Sequence, residues 1–343
     1  MHGISRKHRK LKKLEKPCMS NKKTNRLLKA IDLFCGAGGS SYGARNAGIE
    51  IIAGFDMWNP AALAFKENFP KTKFYEGDLR GFIPKTLKQR IGDIDLILAS
   101  PECTNHSLAK GAKERCEESK MTAFQVTRYA EVFKPKWIII ENVVEMQSWS
   151  EHSKLLDDLW NLGYYVKQQK LNSADFGVPQ SRKRLFLLCT LSKETKVVEH
   201  SKTKINPVST ILDWSDNYEF TPLFKKGRAK NTLARAENAI QSLGKKQPFI
   251  MVYYGTGDGW QSIDKPLRTI TTLDRFALVR PVYGGHKMRM LQPEELKLAM
   301  GFCGDYNLNI GVTRREKIKL MGNGVCPPVM SAIINSLCIT NSQ

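Results

Sequence analysis

Short apolar runs alternate with helix-like segments between residue 29 and about residue 190. Seven runs have strand length: LLKAIDLF, IEIIAGFD, TKFYEGD, DIDLILAS, KWIIIEN, YYVKQQKLN and RLFLLCT. Helix-like segments lie between them, near residues 40–47, 60–68, 120–133 and 152–161. Strands that are apolar throughout are typical of a parallel sheet with helices on both faces. The pattern therefore predicts an α/β fold with a doubly wound, mostly parallel sheet.

This alternation stops near residue 192. Residues 193–288 are rich in Lys, Thr, Gly, Pro and aromatic residues and contain turn signals such as YGTGDGW, which predict a smaller, irregular, partly β domain. Helical patterning returns in QPEELKLAMGF, VTRREKIKLMG and CPPVMSAIINSLC. We therefore divide the chain into a basic, flexible arm (1–28), an α/β domain (29–192), the smaller domain (193–288) and a C-terminal segment (289–343) that returns to the α/β domain.

The charge of the chain indicates a polyanionic partner. Its 343 residues carry a formal net charge of +21, and Glu15 is the single acid among the many lysines and arginines of residues 1–29. Neutralisation of phosphates supplies most non-specific affinity for nucleic acid, so we expect a nucleic-acid partner. The basic arm fits a phosphate-seeking segment, but a solvated tail or a nuclear-localisation run fits equally well.

The cysteines and the hydropathy pattern indicate the compartment. The eight cysteines contain no CxxC pair and no metal-like spacing with the six histidines, which is typical of free thiols in a reducing compartment and predicts no metal site. No apolar stretch approaches membrane-spanning length, and the N-terminus lacks the apolar core of a signal peptide. We expect a cytoplasmic protein, bacterial or phage-encoded, or a nuclear one if the source is eukaryotic.

Three loops after the first strands suggest a cofactor pocket. The first strand ends in DLFCGAGGSS, where glycines let the backbone approach a ligand, although Ser41 replaces the third glycine of a dinucleotide fingerprint. Asp56 ends the second strand, where an acid binds ribose hydroxyls, and Asp78 follows the third, where it would accept from an adenine amino group. Each feature alone is also common in tight turns and solvated loops. Together they favour an adenosine cofactor without a diphosphate, S-adenosyl-L-methionine rather than NAD.

Two reactive side chains follow the next strands. Cys103 comes after DLILAS in a polar, turn-like setting, and Glu141 comes after WIII. Because both positions belong to the same sheet edge, a nucleophilic thiol and a carboxylic acid would serve addition to an electron-poor ring. Arg182 and Arg184 alternate in QSRKR and therefore share one face of an extended segment. An inert thiol, a capping carboxylate and a solvated edge strand are the plainer alternatives.

The ordered motifs resemble those of the DNA (cytosine-5)-methyltransferases over about residues 29–338. They are DLFCGAGG, Asp56, GDL, PEC with Ser107, ENV, QSRKR, Arg289 in MRMLQPEE, and GNGVCPPV. The resemblance implies that Cys103 is the nucleophile, that Glu141 is the acid on the base, and that Arg182, Arg184 or both reach the cytosine carbonyl or nearby backbone. It also implies these cofactor-binding residues: Phe34, Gly36, Ala37, Gly38, Gly39, Asp56, Met57, Asp78, Leu79, Asn323 and Gly324.

The same resemblance implies a reaction and its partners. The enzyme would flip a cytosine out of a specific DNA sequence and methylate its C5 through a covalent Cys103–C6 adduct, leaving S-adenosyl-L-homocysteine. Residues 193–288 would be the target-recognition domain, and the expected DNA contacts are Ser107, Gln180, Arg268, Thr269 and Arg275. We expect a monomer that binds double-stranded DNA, and the resemblance leaves room for a companion restriction endonuclease.

The catalytic motif departs from the family pattern at the residues that flank the cysteine, and three other functions are alternatives to the methylation of DNA. Glu102 precedes the cysteine where proline is usual, and Thr104 follows it where glutamine is usual. A neighbouring carboxylate raises the pKa of a thiol, so ionisation of Cys103 is disfavoured unless Glu102 points outward or pairs with a base. The alternatives are a tRNA cytosine-5 methyltransferase, a catalytically inactive DNA-binding protein and a nicotinamide-dependent oxidoreductase. The last predicts neither PEC nor QSRKR.

Overall fold

The computed structural model describes residues 26–101, 121–192, 197–199, 205–255 and 257–339. Their largest element is a seven-stranded sheet with the order β3-β2-β1-β4-β5-β7-β6. The strands are β1 (Lys29–Leu33), β2 (Glu50–Asp56), β3 (Lys73–Glu76), β4 (Leu96–Ala99), β5 (Trp137–Asn142), β6 (Tyr165–Asn172) and β7 (Lys183–Thr190). β1 to β5 are parallel, whereas β7 runs antiparallel to β5 and β6. The predicted doubly wound, mostly parallel sheet is confirmed.

Helices cover both faces of this sheet. They are α1 (Gly39–Asn46), α2 (Asn59–Asn68), α3 (Pro84–Ile91), α4 (Phe124–Phe133) and α5 (His152–Asn161). Alternate residues of β5 belong to two hydrophobic clusters: Ile139 packs with α1 and α2, while Ile138 and Ile140 pack with α3, α4 and α5. Burial on both sides explains why the central strands are apolar throughout. The pattern missed α3, because only Pro84 and Leu87 of that helix are buried.

A second, five-stranded antiparallel sheet lies in the region predicted to be partly β. Its order is β10-β9-β11-β12-β8. The strands are β8 (Thr221–Pro222), β9 (Phe249–Val252), β10 (Trp260–Ser262), β11 (Phe276–Val282) and β12 (Gly285–Met290). One face of this sheet packs on α6 (Lys230–Leu243), a helix that the sequence did not suggest. The other face packs in the hydrophobic cluster that contains α1 and α2. The two sheets therefore share hydrophobic core.

The C-terminal segment packs against the first helix of the large sheet. It contains α7 (Pro293–Ala299), α8 (Arg314–Asn323) and α9 (Pro327–Ile334), which match the three predicted helical stretches. A Cβ atom at Gly39 would lie 2.2 Å from the Val325 carbonyl oxygen, and one at Gly43 would lie 2.5 Å from that of Pro327. Only glycine permits this close approach. Within the described residues, no helix is long and apolar enough to span a membrane.

Candidate active site

The loop after β1 combines an open backbone position with two closely packed ones. Phe34, Gly36 and Gly38 all have positive φ angles, of 57°, 52° and 76°. A Cβ atom at Gly36 would meet no atom within 4 Å, whereas one at Gly38 would lie 2.7 Å from the Phe69 ring. Gly36 therefore exposes backbone to a ligand. Gly38 and Gly39 instead let the loop and α1 pack on neighbouring segments.

Asp56 connects this loop to the end of β2. Its Oδ2 accepts the backbone N–H of Gly36 at 2.8 Å, and its Oδ1 accepts that of Trp58 at 2.9 Å. Burial raises the pKa of the Asp56 carboxyl, while the N–H groups of Trp58, Gly36 and Met57 act in the opposite direction. Each carboxylate oxygen has a further lone pair, so Asp56 can hold the loop and also accept a ribose hydroxyl. The Met57 side chain beside it is exposed.

The acid after β3 is placed differently. Asp78 accepts hydrogen bonds from the Arg80 backbone N–H at 2.9 Å and from the Arg80 guanidinium at 2.6–3.1 Å. The hydrogen bond from Arg80 lowers the pKa of Asp78. This carboxylate is ionised and partly exposed, so a cofactor amino group would share it with Arg80. Leu79 next to it is buried in the core cluster of α3, α4 and α5.

The C-terminal segment supplies the remaining predicted cofactor residues. Asn323 is exposed at the end of α8, and Gly324 is buried beside it. The Val325 carbonyl packs on Gly39, which brings this segment beside the loop after β1. The ammonium group of Lys319, on the same helix, lies 4.3 Å from the centroid of the Trp58 ring at the end of β2.

A tyrosine that the sequence did not single out holds the same loop. The buried Tyr306 hydroxyl donates to the Ala37 carbonyl at 2.5 Å, and the Tyr306 carbonyl accepts from Lys297 Nζ at 2.9 Å. Ala37 itself is buried. Nothing in the local pattern GDYNL shows that its tyrosine reaches a loop 269 residues earlier in the chain. The hydrogen bond fixes the orientation of the peptide between Ala37 and Gly38.

Beneath the loop lies a buried carboxyl group. Asp32 of β1 is fully buried, and its Oδ2 accepts from both the backbone N–H and the Oγ of Ser41, at 3.1 and 2.6 Å. Burial raises the pKa of Asp32 to about 7; the two bonds from Ser41 oppose the rise and the nearby Asp56 adds to it. Ser41, which stands where a dinucleotide fingerprint has its third glycine, therefore connects α1 to β1.

Glu141 and Arg184 form a buried ion pair at the carboxyl end of β5. Arg184 Nε lies 3.1 Å from Glu141 Oε1, and their side chains are only 15% and 7% exposed. The antiparallel pairing of β7 with β5 brings the start of β7 to this edge. Burial raises the pKa of Glu141, and the positive charges of Arg184 and Arg182 partly offset the rise. Burial therefore makes this carboxyl group retain a proton to higher pH than an exposed glutamate does.

Arg182 faces the same small pocket but makes different contacts. Its Nη1 donates to the Ile270 carbonyl at 3.0 Å and its Nη2 to the Gly322 carbonyl at 2.8 Å, and the side chain is buried. Arg184 Nη1 instead donates to the Lys183 carbonyl at 2.8 Å. The expectation that the two arginines share a face is confirmed by the pocket they both line with Glu141. Arg182 connects three distant chain segments, whereas Arg184 contacts the candidate acid.

Four of the five residues predicted to contact DNA lie at the junction of the two sheets: Gln180, Arg268, Thr269 and Arg275. Gln180 is fully buried: its Nε2 donates to the Ala299 carbonyl at 3.2 Å, and its Oε1 accepts from the Ile270 N–H at 2.9 Å. Its amide therefore contacts protein and not solvent in this structure. Thr269 Oγ1 donates to the Ser181 carbonyl at 2.9 Å. Arg268 and Arg275 are half-buried and donate to the Trp260 and Tyr253 carbonyls.

The predicted nucleophile lies outside the described residues. So do Glu102, Thr104 and Ser107, as well as residues 1–25 of the basic arm. The described chain reaches Pro101, whose carbonyl accepts from Asn142 Nδ2 at 3.3 Å. Asn142 follows Glu141 directly, so the segment that leads to Cys103 is anchored beside the Glu141–Arg184 pair. Among the described histidine, cysteine, aspartate and glutamate residues, no group could hold a metal ion.

Solved structures share the fold of this protein over nearly the whole chain. The Entamoeba histolytica methyltransferase EhMeth superposes with a TM-score of 0.69 at 18% identity, covering 93% of this chain and all of that one. A putative DNA modification methyltransferase of an Escherichia coli prophage gives a TM-score of 0.66 at 18% identity, covering 92% and 100%.

A family model described as C-5 cytosine-specific DNA methylase matches residues 28–338, and the chain belongs to this family of enzymes. The type II methyltransferase M.AgeI of Thalassovita gelatinovora is 27% identical over 310 residues, covering 87% of this chain and 70% of that protein. M.HaeII of Haemophilus aegyptius is 27% identical over 316 residues, covering 90% and 92%. The expected resemblance to DNA (cytosine-5)-methyltransferases is thus confirmed.

Proposed function

We propose that this enzyme transfers a methyl group from S-adenosylmethionine to C5 of a cytosine flipped out of a specific sequence in double-stranded DNA. The observation that supports this most is the buried Glu141–Arg184 pair, which lies beside the anchored chain leading to Cys103. A carboxyl group with a raised pKa next to a fixed guanidinium suits a neutral, electron-poor ring with a carbonyl group. The target base must leave the duplex to reach such a pocket.

The chemistry assigns one role to each of these side chains. The Cys103 thiolate adds to C6, and Glu141 donates its proton to N3, which takes up the electron pair displaced from the ring. Arg184 donates to the cytosine carbonyl and holds Glu141 in place. After C5 has gained the methyl group, a base removes the C5 proton, the Cys103–C6 bond breaks, and Glu141 recovers its proton. Acid–base assistance of this kind contributes about 10²–10⁴ in rate.

The loop after β1 fits an adenosine-containing cofactor. The space in front of Gly36 and the accepting oxygens of Asp56 match a ribose that approaches the backbone closely. Phe34, Asp78 and Asn323 would complete the contacts to the remainder of the molecule, with the neighbouring residues predicted above. When bound, S-adenosylmethionine supplies an electrophilic methyl group on its sulfonium. The product of the transfer is S-adenosyl-L-homocysteine.

Arg182 and Gln180 act as positioning residues in this proposal. Both contact Ile270, and Arg182 also contacts Gly322, so they fix the junction between the recognition region and the cofactor segment. Arg268, Thr269 and Arg275 lie at this junction and would contact DNA, together with Ser107. The positioning role replaces the direct contact with DNA expected of Gln180, because the Gln180 amide forms hydrogen bonds within the protein.

The names of the relatives suggest the biological setting. Type II methyltransferases carry the nomenclature of restriction–modification systems. We therefore propose that this enzyme acts as a monomer on DNA in a bacterial cytoplasm, with a companion restriction endonuclease as a further partner. Purification with and without the neighbouring gene product, followed by measurement of mass in solution, tests both points.

Transfer of tritiated methyl groups to DNA and to tRNA tests the substrate directly. We expect incorporation into double-stranded DNA and little into tRNA, and sequencing of methylated host DNA should find one short motif with 5-methylcytosine. The Cys103→Ser variant should lose transfer but retain DNA binding, while Cys303→Ser, which changes an exposed thiol, should retain both. Preferred methylation of tRNA, or near-normal transfer by Cys103→Ser, would overturn the proposal.

A further inference from the structure

The end of the small sheet that lies farthest from the catalytic pocket carries a basic and aromatic surface. We call it the distal tip and define it by Tyr283, the pair Lys225–Lys226, the pair Lys245–Lys246, and Lys287. All six side chains are exposed, and the Tyr283 ring is fully so. None of them has a role in the reaction proposed above.

The hairpin of β11 and β12 places Tyr283 at the distal tip. Val282 pairs with Gly285, so Tyr283 and Gly284 form a two-residue connection, and Gly284 has a φ of 79° that favours glycine. β11 starts at Phe276, next to the junction with the catalytic sheet. At about 3.4 Å per residue, its length carries Tyr283 about 20 Å from that junction.

Hydrogen bonds to His286 of β12 bring both lysine pairs beside the hairpin. The Leu223 N–H donates to the His286 carbonyl at 2.9 Å, which places the chain entering Lys225–Lys226 beside β12. The side chain of the same residue also contacts the second pair: His286 Nε2 donates to the Lys245 carbonyl at 3.0 Å. Lysine pairs that are well separated in sequence are therefore held around one turn.

The two segments that form this surface contain many more basic than acidic residues. Residues 221–257 contain seven lysines and arginines and one acid, Glu237, and residues 276–290 contain no acid. The neighbouring Asp216 is paired with Arg280. Lysines that have been brought together without carboxylates repel one another, and a row of phosphates relieves that repulsion. An exposed aromatic ring in such a surface adds stacking on a sugar or base.

We propose that the distal tip binds the sugar–phosphate backbone of duplex DNA outside the recognised sequence. The lysines neutralise phosphates, and Tyr283 packs on the exposed edge of the duplex. A span of about 20 Å corresponds to about six base pairs, so this contact requires DNA that extends past the site of methylation. The identity of the partner as duplex DNA rests on the proposed function, whereas the location of the contact rests on the charge and exposure of these residues.

Two variants and a matched control test this inference. The first replaces Lys225, Lys226, Lys245 and Lys246 with Gln, and the second is Tyr283→Ala. The control replaces four exposed lysines near the amino ends of β3 and β5, opposite the catalytic edge of the large sheet, with Gln: Lys71, Lys73, Lys134 and Lys136. KM is measured for two duplexes centred on the methylated cytosine, one of about 10 base pairs, which ends before the distal tip, and one of about 40 base pairs, since phosphate contacts scale with the length covered.

The inference predicts an effect that depends on duplex length. For the four-lysine variant, KM for the long duplex should rise about tenfold, and the slope of log Kd against log salt should decrease by about 0.9 for each phosphate that the variant no longer neutralises. Tyr283→Ala should raise KM for the long duplex severalfold. KM for the short duplex and kcat should not change, and the control should match the wild type on both duplexes.

Other outcomes would overturn it. Equal losses on short and long duplexes would show a general effect on the enzyme, and unchanged values on both would show that the distal tip does not contact DNA. If the wild type transfers no methyl group to DNA, it is the proposed function that fails. The salt dependence of duplex binding, compared between wild type and variant, then still decides whether the distal tip contacts phosphate.

Discussion

The two sheets of this enzyme handle charge in opposite ways. At the edge of the large sheet, Asp32, Glu141 and Arg182 are buried, and the pKa values of the two carboxyl groups are raised by burial. At the far end of the small sheet, lysines are exposed in two segments, 221–257 and 276–290, that contain one acid, Glu237. Moving a charged group out of water costs free energy unless the group has a partner inside the protein. A buried charged group is therefore suited to holding neighbouring segments in place or to exchanging a proton. Exposed charges attract a polyanion at long range, and salt screens them.

Replacement of Glu141 should have the largest effect on the buried side of this comparison. Glu141→Gln keeps the size of the side chain and an acceptor for Arg184 but cannot donate a proton to N3 of the base. We expect single-turnover methyl transfer to slow by about 10²–10⁴ with little change in DNA affinity. Because the protonated form is the active one, the wild-type rate should fall as pH rises through the raised pKa of Glu141.

The exposed carboxylate of Glu131, on α4, provides the matched control. Glu131→Gln should have the rate and the pH dependence of the wild type. A Glu141→Gln variant that retained the wild-type rate and pH profile would show that the buried carboxyl group is structural.

The raised pKa of Asp32 should appear as a pH dependence of stability. The folded protein binds a proton at Asp32 up to a pH of about 7, whereas the unfolded chain releases it near 3.8. The stabilisation is therefore present below the unfolded value and is lost as pH rises through about 7, with a total on the order of 4 kcal/mol.

Thermal unfolding of the wild type and Asp32→Asn between pH 5 and pH 8 measures this effect. The wild type should lose stability relative to the variant as the pH rises across that range. Identical slopes in the two proteins would show that Asp32 does not titrate there.

The two arginines of QSRKR should respond differently to the same change. Arg182→Lys leaves one of two buried carbonyls, on Ile270 or Gly322, without a partner and should lower the free energy of unfolding by about 1–3 kcal/mol. Arg184→Lys should change stability less but reduce kcat, because lysine cannot reproduce the pairing of the guanidinium with Glu141. Urea unfolding and single-turnover rates of both variants give the comparison, and a larger stability loss for Arg184→Lys would contradict it.

The smallest expected effect concerns the support of the cofactor loop. Tyr306→Phe removes the hydroxyl that donates to the Ala37 carbonyl but retains the ring packing. We expect a loss of about 1 kcal/mol in stability and a severalfold weaker affinity for S-adenosylhomocysteine, measured by calorimetry. Tyr283→Phe, at the fully exposed tip, is the control and should leave both values unchanged. An unchanged affinity in Tyr306→Phe would show that the loop does not need this support.

The sequence predicted the large sheet better than the small one for a physical reason. The central strands β1, β4 and β5 are buried on both faces, so continuous apolar runs mark them. Helix α6 buries only Ala236 and Ala239, and β8 has two residues, so neither leaves a strong pattern. The candidate site shows the same contrast: the ends of strands suggested Asp56 and Glu141, but contacts between distant segments, such as those of Arg182 and Tyr306, need the folded structure.

Covalent trapping tests the central claim that the edge of the large sheet is the active site of a DNA (cytosine-5)-methyltransferase. The wild type is incubated with S-adenosylmethionine and a duplex that carries 5-fluorocytosine in the mapped sequence. Fluorine at C5 cannot leave as a proton, so the adduct between Cys103 and C6 should accumulate as a stable protein–DNA complex. We predict this complex for the wild type and its absence for Cys103→Ser. A complex formed equally by Cys103→Ser, or none from a wild type that methylates the normal duplex, would contradict the account.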